Sequence, residues 1–154
     1  MTPPFSRQST CVAIGGRAVL IEGPPGTGKS ALALALIDRG ATLIGDDSVL
    51  LSTEGDKLVA QPHPNTHGLL EVRNLGLLPF PVCESAPVAL AVMLDADAPR
   101  YIEQAQIIAI GGVSVPCLRL WPDGGPLALK VELALARFGW PASASESAAS
   151  APSS

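Results

Sequence analysis

Two apolar runs, Thr10 to Ile14 and Arg17 to Glu22, stand on either side of Gly15-Gly16 and predict a β-hairpin with a two-residue turn. Residues 1–9 show no such alternation and read as irregular. After a glycine-rich stretch, Lys29 to Arg39 has helical length, with Gly40 as its left-handed stop. Ala31 to Ile37 is apolar on every face, the pattern of a buried helix. Ala41 to Gly45, Ser48 to Ser52 and Lys57 to Gln61 read as strands, the last two joined by a turn at Glu54-Gly55-Asp56. Pro62 to Gly68 holds prolines that fix φ and remove donors, so it reads as irregular. Leu69 to Val72 is a strand, and Asn74 to Pro79 a loop or strand end. Val88 to Leu94 is a continuous apolar run of strand length and belongs at the centre of a sheet. Gln106 to Ile110 and Val113 to Leu118 flank Gly111-Gly112, and Leu127 to Phe138 repeats apolar residues at helical spacing behind Pro126. The whole is an α/β chain. Residues 1–140 read as one domain, and 141–154, rich in Ala, Ser and Pro, as a disordered tail.

Between the hairpin and the first helix lies Gly23-Pro24-Pro25-Gly26-Thr27-Gly28-Lys29-Ser30, a complete G-x-x-x-x-G-K-[ST] phosphate loop. A strand enters it and a helix leaves it, as the pattern requires. Its glycines let amide N–H groups turn inward, and the helix start adds about half a positive charge aimed at the same place. Lys29 reaches outer phosphates, and the Ser30 hydroxyl suits Mg²⁺. The bland alternative is a glycine-rich turn that binds nothing. Four fixed positions coincide by chance on the order of once in a hundred chains of this length or fewer, which favours nucleotide binding.

Composition narrows the class. The chain has 154 residues, is 47% apolar and only 4% aromatic, so its core is aliphatic. Net charge is −4 with no basic run, which argues against nucleic-acid or membrane-surface binding. Cys11, Cys83 and Cys117 are scattered and odd in number, neither a disulfide framework nor a zinc set. With no signal-like segment, a cytoplasmic location is expected.

Other candidates surround the loop. Asp46-Asp47 ends a strand soon after the first helix; adjacent carboxylates near a nucleotide can divide the work of base and metal partner. The alternative is a solvated turn. Glu71 and Arg73 share a strand face, as a metal-and-phosphate site or as a plain ion pair. Arg100 is the one cation between Arg73 and Arg119, and a loop arginine can close over a transferring phosphoryl group. His63 and His67 have no helix to align them as a metal pair.

The run Ala18 to Asp47, followed by Leu69-Leu70-Glu71-Val72-Arg73-Asn74-Leu75-Gly76, resembles the C-terminal catalytic domain of HPr kinase/phosphorylase in its short single-domain form. The spacing from G-K-S to G-x-D-D and on to L-L-E-V-R-x-L-G carries the resemblance, which covers roughly residues 8 to 138. It implies a P-loop-containing mixed sheet like that of phosphoenolpyruvate carboxykinase, with a hairpin entering the loop. It implies a kinase that uses ATP and Mg²⁺ to phosphorylate a serine on HPr or a nitrogen-related counterpart, reversible by phosphorolysis, and a hexamer. By the same resemblance Gly23 to Ser30 bind the nucleotide, with Lys29 catalytic and Ser30 and Glu71 on the metal. Asp46 is the acid/base carboxylate and Asp47 its partner; Arg73 lies beside Glu71, and Arg100 caps the phosphoryl group. Two departures stand out. Gln8 replaces a histidine usual before the first strand, and Asn74 replaces a glycine at a turn that needs φ > 0. A nucleotide-sensing module without catalysis and a small-molecule kinase are the other readings. The second would need an arginine-rich lid that this chain lacks.

Overall fold

A computed structural model describes residues 3–123 and 125–141; the expected tail at 142–154 lies outside them. Its centre is β9 (Ala86–Leu94), and the chain is best followed from there. On one side β9 pairs in parallel with β3 (Arg17–Glu22), and β3 pairs antiparallel with β2 (Thr10–Ile14) as the predicted hairpin. Beyond it β4 (Thr42–Gly45) closes that edge. On its other side β9 is shared. Its first residues pair antiparallel with β6 (Lys57–Pro62), and its last, Ala91 to Leu94, pair in parallel with β11 (Val113–Leu120). From β6 the sheet continues to β5 (Val49–Glu54) and β1 (Phe5–Arg7), and from β11 to β10 (Gln106–Ile110). The two branches turn toward each other: a Cβ on Gly111, in the β10–β11 turn, would sit 3.0 Å from the Phe5 ring of β1.

This is a mixed sheet with one face on helices. Alternate residues of β3 and β9 make the division: Val19, Ile21, Leu90 and Val92 pack under α1 (Lys29–Asp38) and α2 (Leu127–Phe138), while Ala18, Leu20, Val88 and Ala91 face the curl of the branches. A bulge at Ala89 lets β3 keep this division. Its carbonyl, displaced from the ladder between Val88 and Leu90, accepts the Trp140 N–H at 2.9 Å.

Four expectations change. Phe5–Arg7 is a strand, not irregular; its register comes entirely from β5, some forty residues downstream, which no local pattern can reveal. Residues 76–79 are a full strand, β8, paired with β7 (Leu69–Val72) as a separate two-stranded sheet, and Pro64–Thr66 forms one 3₁₀ turn whose N–H at Asn65 is accepted by His63 Nδ1. The helix after the loop is not buried all round. Leu32, Ala33 and Leu36 are buried, but Ala31 and Ala35 are exposed. Alanine is the best helix former whether or not it is covered, so an apolar circumference rich in alanine overstates burial. Among the described residues no helix is long and apolar enough to cross a membrane.

Candidate active site

β3, β9 and β11 run parallel and end at one edge of the sheet, with Glu22 level with Met93 and Leu120 with Leu94. The loops that follow these strands therefore emerge side by side, the place where open α/β sheets hold ligands. Residues 23–28 leave β3 there. A Cβ on Gly23 would meet the Leu94 carbonyl and Thr27 Oγ1, each at 3.0 Å, so only glycine lets the loop leave the strand this close to β9. Gly28 caps α1 in the left-handed region at φ 92°, with no side chain over the first amides. Thr27 Oγ1 donates to the Pro24 carbonyl at 2.8 Å, and Lys29 Nζ donates to the Gly23 carbonyl at 2.8 Å, so the ammonium lies across the loop. Behind it, Arg7 donates two hydrogen bonds to Glu22, at 2.6 and 3.0 Å, which pin the last residue of β3; that carboxylate holds the guanidinium charged and pushes its pKa up.

Asp46 is the hub. Its Oδ1 accepts the Ser30 hydroxyl at 2.8 Å and the Thr10 hydroxyl at 3.1 Å; its Oδ2 accepts the Glu71 N–H at 3.0 Å. One half-buried carboxylate thus ties the helix start, β2 and β7 together. Thr10 is itself 1% exposed and also accepts the Asp47 N–H at 3.3 Å. Asp47 takes the left-handed region at φ 67° and is exposed, its Oδ1 3.5 Å from Gln8 Nε2. The two neighbours therefore have different chemistry. Each carboxylate oxygen has two lone pairs; Asp46 has committed three of four, and Asp47 is nearly uncommitted.

The structure joins Glu71 to this cluster through its backbone amide, and leaves the residue exposed on β7. Arg73 is exposed in the β7–β8 turn, which Asn74 completes at φ 73°, the left-handed conformation expected of it. Arg100 is exposed on the loop after β9, its guanidinium 5.5 Å from the Tyr101 ring centre. The root of that loop is firm: Arg119 Nη1 donates to Asp95 Oδ2 at 3.2 Å, and Trp121 Nε1 donates to the Ala98 carbonyl at 2.7 Å. Neither arginine touches Asp46 or Asp47 among the described residues. His67 Nε2 lies 3.2 Å from Glu84, while His63 Nδ1 accepts the Asn65 N–H, so the two imidazoles have separate partners.

Among the described residues no three His, Cys, Asp or Glu side chains converge as a metal cage. Ser30 Oγ and the Asp46 carboxylate, 2.8 Å apart, are nevertheless oxygen donors of the kind Mg²⁺ takes, one or two carboxylates with the shell completed by phosphates and water; Glu71 reaches them here through its backbone amide. A cleft of about 460 Å³ opens beside Thr27 and Gly28, lined by Ala31, Ala35 and Leu127. A larger one of about 550 Å³, at the opposite sheet edge beside Arg17, Lys57 and Trp140, holds none of these residues. Thr10 and Gln8 are the site residues that sequence reasoning left without a role. The signal for Thr10 was a hydroxyl opening an otherwise apolar strand.

Comparison with known proteins matches residues 1–83 to the family described as the HPr Serine kinase C-terminal domain. An HPr kinase/phosphorylase of Caldicellulosiruptor bescii is 32% identical over 148 residues, covering 87% of this chain and 48% of that one. One from Mycoplasmopsis pulmonis is 45% identical over 69 residues, 45% of this chain and 22% of that one. The chain spans half or less of the length of these curated relatives. The solved structure of the Hpr(Ser) kinase/phosphatase from Coxiella burnetii superposes with a TM-score of 0.76 at 25% identity, covering 86% of this chain and 94% of that one.

Proposed function

The chain belongs to the HPr serine kinase C-terminal domain family, and from that premise we propose that its site transfers the terminal phosphoryl group of ATP to a serine on an HPr-type phosphocarrier, leaving ADP, and removes it by phosphorolysis, in which inorganic phosphate takes the phosphoryl group and leaves as pyrophosphate. The observation that carries this is Asp46 holding Ser30 Oγ at 2.8 Å at the head of a glycine loop, with a nearly uncommitted carboxylate, Asp47, next in sequence.

Gly23 to Ser30 act as the phosphate loop, their amides and the N-terminus of α1 cradling phosphate oxygens. The hairpin entry, β2 to β3, supports a phosphoenolpyruvate-carboxykinase-like wiring over the doubly wound one. Lys29, across the loop, exchanges the Gly23 carbonyl for the outer phosphates. The cleft against Ala31 and Ala35 has the size and apolar walls of a nucleoside pocket. Ser30 Oγ and the Glu71 carboxylate would hold Mg²⁺, which when bound neutralises phosphate charge.

Asp46 and Asp47 were expected to share one acid/base role led by Asp46. The hydrogen bonds favour a different division. Asp46 orients Ser30 and is a positioning residue, while Asp47 accepts the seryl proton as the serine oxygen bonds to phosphorus and the bond to the departing diphosphate breaks. In phosphorolysis an inorganic phosphate oxygen bonds to the phosphoserine phosphorus as the bond to the serine oxygen breaks, and Asp47 passes a proton from that phosphate to the departing serine oxygen, leaving pyrophosphate. Gln8 at 3.5 Å can orient Asp47 but cannot take its proton. Arg100, on its firmly rooted loop, supplies positive charge from the side by closing over the phosphoryl group, and Arg73 does so from the hairpin turn.

The test is incubation with γ-labelled ATP, Mg²⁺ and a purified HPr-type protein, the product being analysed for phosphoserine. Label on serine, released by inorganic phosphate, is expected. Tight ATP binding with no transfer would replace this reading with a nucleotide sensor.

A further inference from the structure

The two-stranded sheet of β7 and β8 has its apolar residues on both faces. Its inner face is accounted for: Leu70 is fully buried, and Val72 packs with it against α1 and the core. The outer face carries the cross-strand pairs Leu69 with Pro79 and Glu71 with Leu77, and Leu75 stands in the turn. Leu75 is 70% exposed, Leu77 64% and Leu69 37%. An antiparallel sheet with one wet face ordinarily places polar residues there. Folding gains nothing from leucines left in water, and adjoining ones mark an interaction surface.

Position says what the surface is for. Glu71, at the middle of that face, gives its amide to Asp46 at 3.0 Å. Directly opposed residues on antiparallel strands lie about 5 Å apart, so Leu77 adjoins the residue that holds the carboxylate hub. Leu69 and Pro79 follow about 7 Å further along the strands. A serine on a folded protein cannot reach Asp47 alone. It brings a surface with it, and a specific interface covers about 800 Å² on each partner. The outer face of the hairpin is the apolar ground that such a surface must cover.

We propose that Leu69, Leu75, Leu77 and Pro79 form the docking surface for the protein substrate, receiving apolar side chains that flank its target serine. Specificity then comes partly from the hairpin and not only from the nucleotide site. This rests on the function proposed above.

The experiment compares wild type, Leu75→Ser/Leu77→Ser and, as an exposed apolar control outside the hairpin's sheet, Ile107→Ser on β10, which is 55% exposed. Phosphorylation of a purified HPr-type protein is followed at saturating ATP, with ATP affinity and sedimentation measured alongside. Should the serine pair impair folding by circular dichroism, Leu75→Ala/Leu77→Ala takes its place. The expected result is a KM for the protein raised roughly tenfold or more, as removal of interface anchors produces, with kcat and ATP affinity little changed and Ile107→Ser like wild type. An unchanged KM in an active, folded double variant overturns the docking surface and leaves the kinase reading standing. So does a KM rise that merely follows dissociation of an oligomer seen without substrate, since the leucines would then join copies of the chain. If wild type binds ATP but phosphorylates no HPr-type protein, the functional reading itself fails, and this inference fails with it.

Discussion

Replacing each carboxylate of Asp46-Asp47 by its amide separates two roles that the sequence cannot tell apart. At Asp47, asparagine keeps the shape and tolerates the left-handed φ of 67° at least as well as aspartate. Among the described residues the one side-chain hydrogen bond touched is the long one from Gln8 at 3.5 Å, so stability should shift by less than about 0.5 kcal/mol. Phosphotransfer should nevertheless fall ~10²–10⁴-fold, the usual worth of a positioned general base. At Asp46 the same change touches three hydrogen bonds, from Ser30, Thr10 and the Glu71 N–H. Each falls from a charge-assisted bond toward a neutral one, a difference of about 1 kcal/mol. Because Asp46 is only half-buried and the amide can re-pair with the two hydroxyls, about 2 kcal/mol is a fair total, lowering Tm by roughly 4–10 °C in a domain of this size. Asp46→Asn should also weaken the Mg²⁺ dependence of ATP binding, since Ser30 loses its orienting partner. Thermal unfolding, ATP titration at several Mg²⁺ concentrations and phosphoserine formation read all three quantities. Full transfer by Asp47→Asn would refute the division. So would an Asp46→Asn protein as stable as wild type.

Gly23→Ala should destabilise the protein by about 1–3 kcal/mol and weaken ATP binding at least as much, because its Cβ meets the Leu94 carbonyl and Thr27 Oγ1 at 3.0 Å; denaturant unfolding and ATP titration check both. Arg39 hydrogen-bonds Glu132 across α1 and α2 and holds that carboxyl below its ordinary value. The pair's small stabilisation is therefore present above the unfolded carboxylate pKa of about 4.3 and lost as pH falls through the folded one. Glu132→Gln should flatten the acid limb of a Tm–pH curve and leave pH 7 transfer unchanged. Burial pushes the Cys11 thiol up, and to a lesser degree that of Cys117. Their neutral forms favour folding up to the unfolded thiol pKa of about 8.5, and stability should decline as pH rises beyond it. Thiol titration of the native protein should modify the partly exposed Cys83 first, with Cys11 reacting only on unfolding.

Local chemistry was legible along the chain; distant pairing was not. Gly15-Gly16 announced the β2–β3 hairpin to the residue, and Pro126 announced the start of α2, standing as its N-cap. Phe5–Arg7 has no meaning until β5 lies beside it, and the alanines of α1 gave no sign of which face the sheet would cover. At the site, the loop and Asp46-Asp47 could be read because their chemistry is local. Thr10 could not, since its role begins only when β2 brings it to a carboxylate thirty-six residues away in sequence.

The place of β9 has a consequence for how the molecule can come into being. The hairpin, the loop and Asp46-Asp47 all precede β9 in the chain, yet β9 separates β6 from β3 and supplies the carbonyl against which Gly23 is fitted. During synthesis the hairpin, the loop and both aspartates leave the ribosome before the strand that fixes them. Until residues 86–94 arrive, β3 and β6 expose bare strand edges, ready to pair with whatever is near. A nonlocal strand inserted at the centre makes for slow folding, and it makes the first half of the chain, site residues included, dependent on the second.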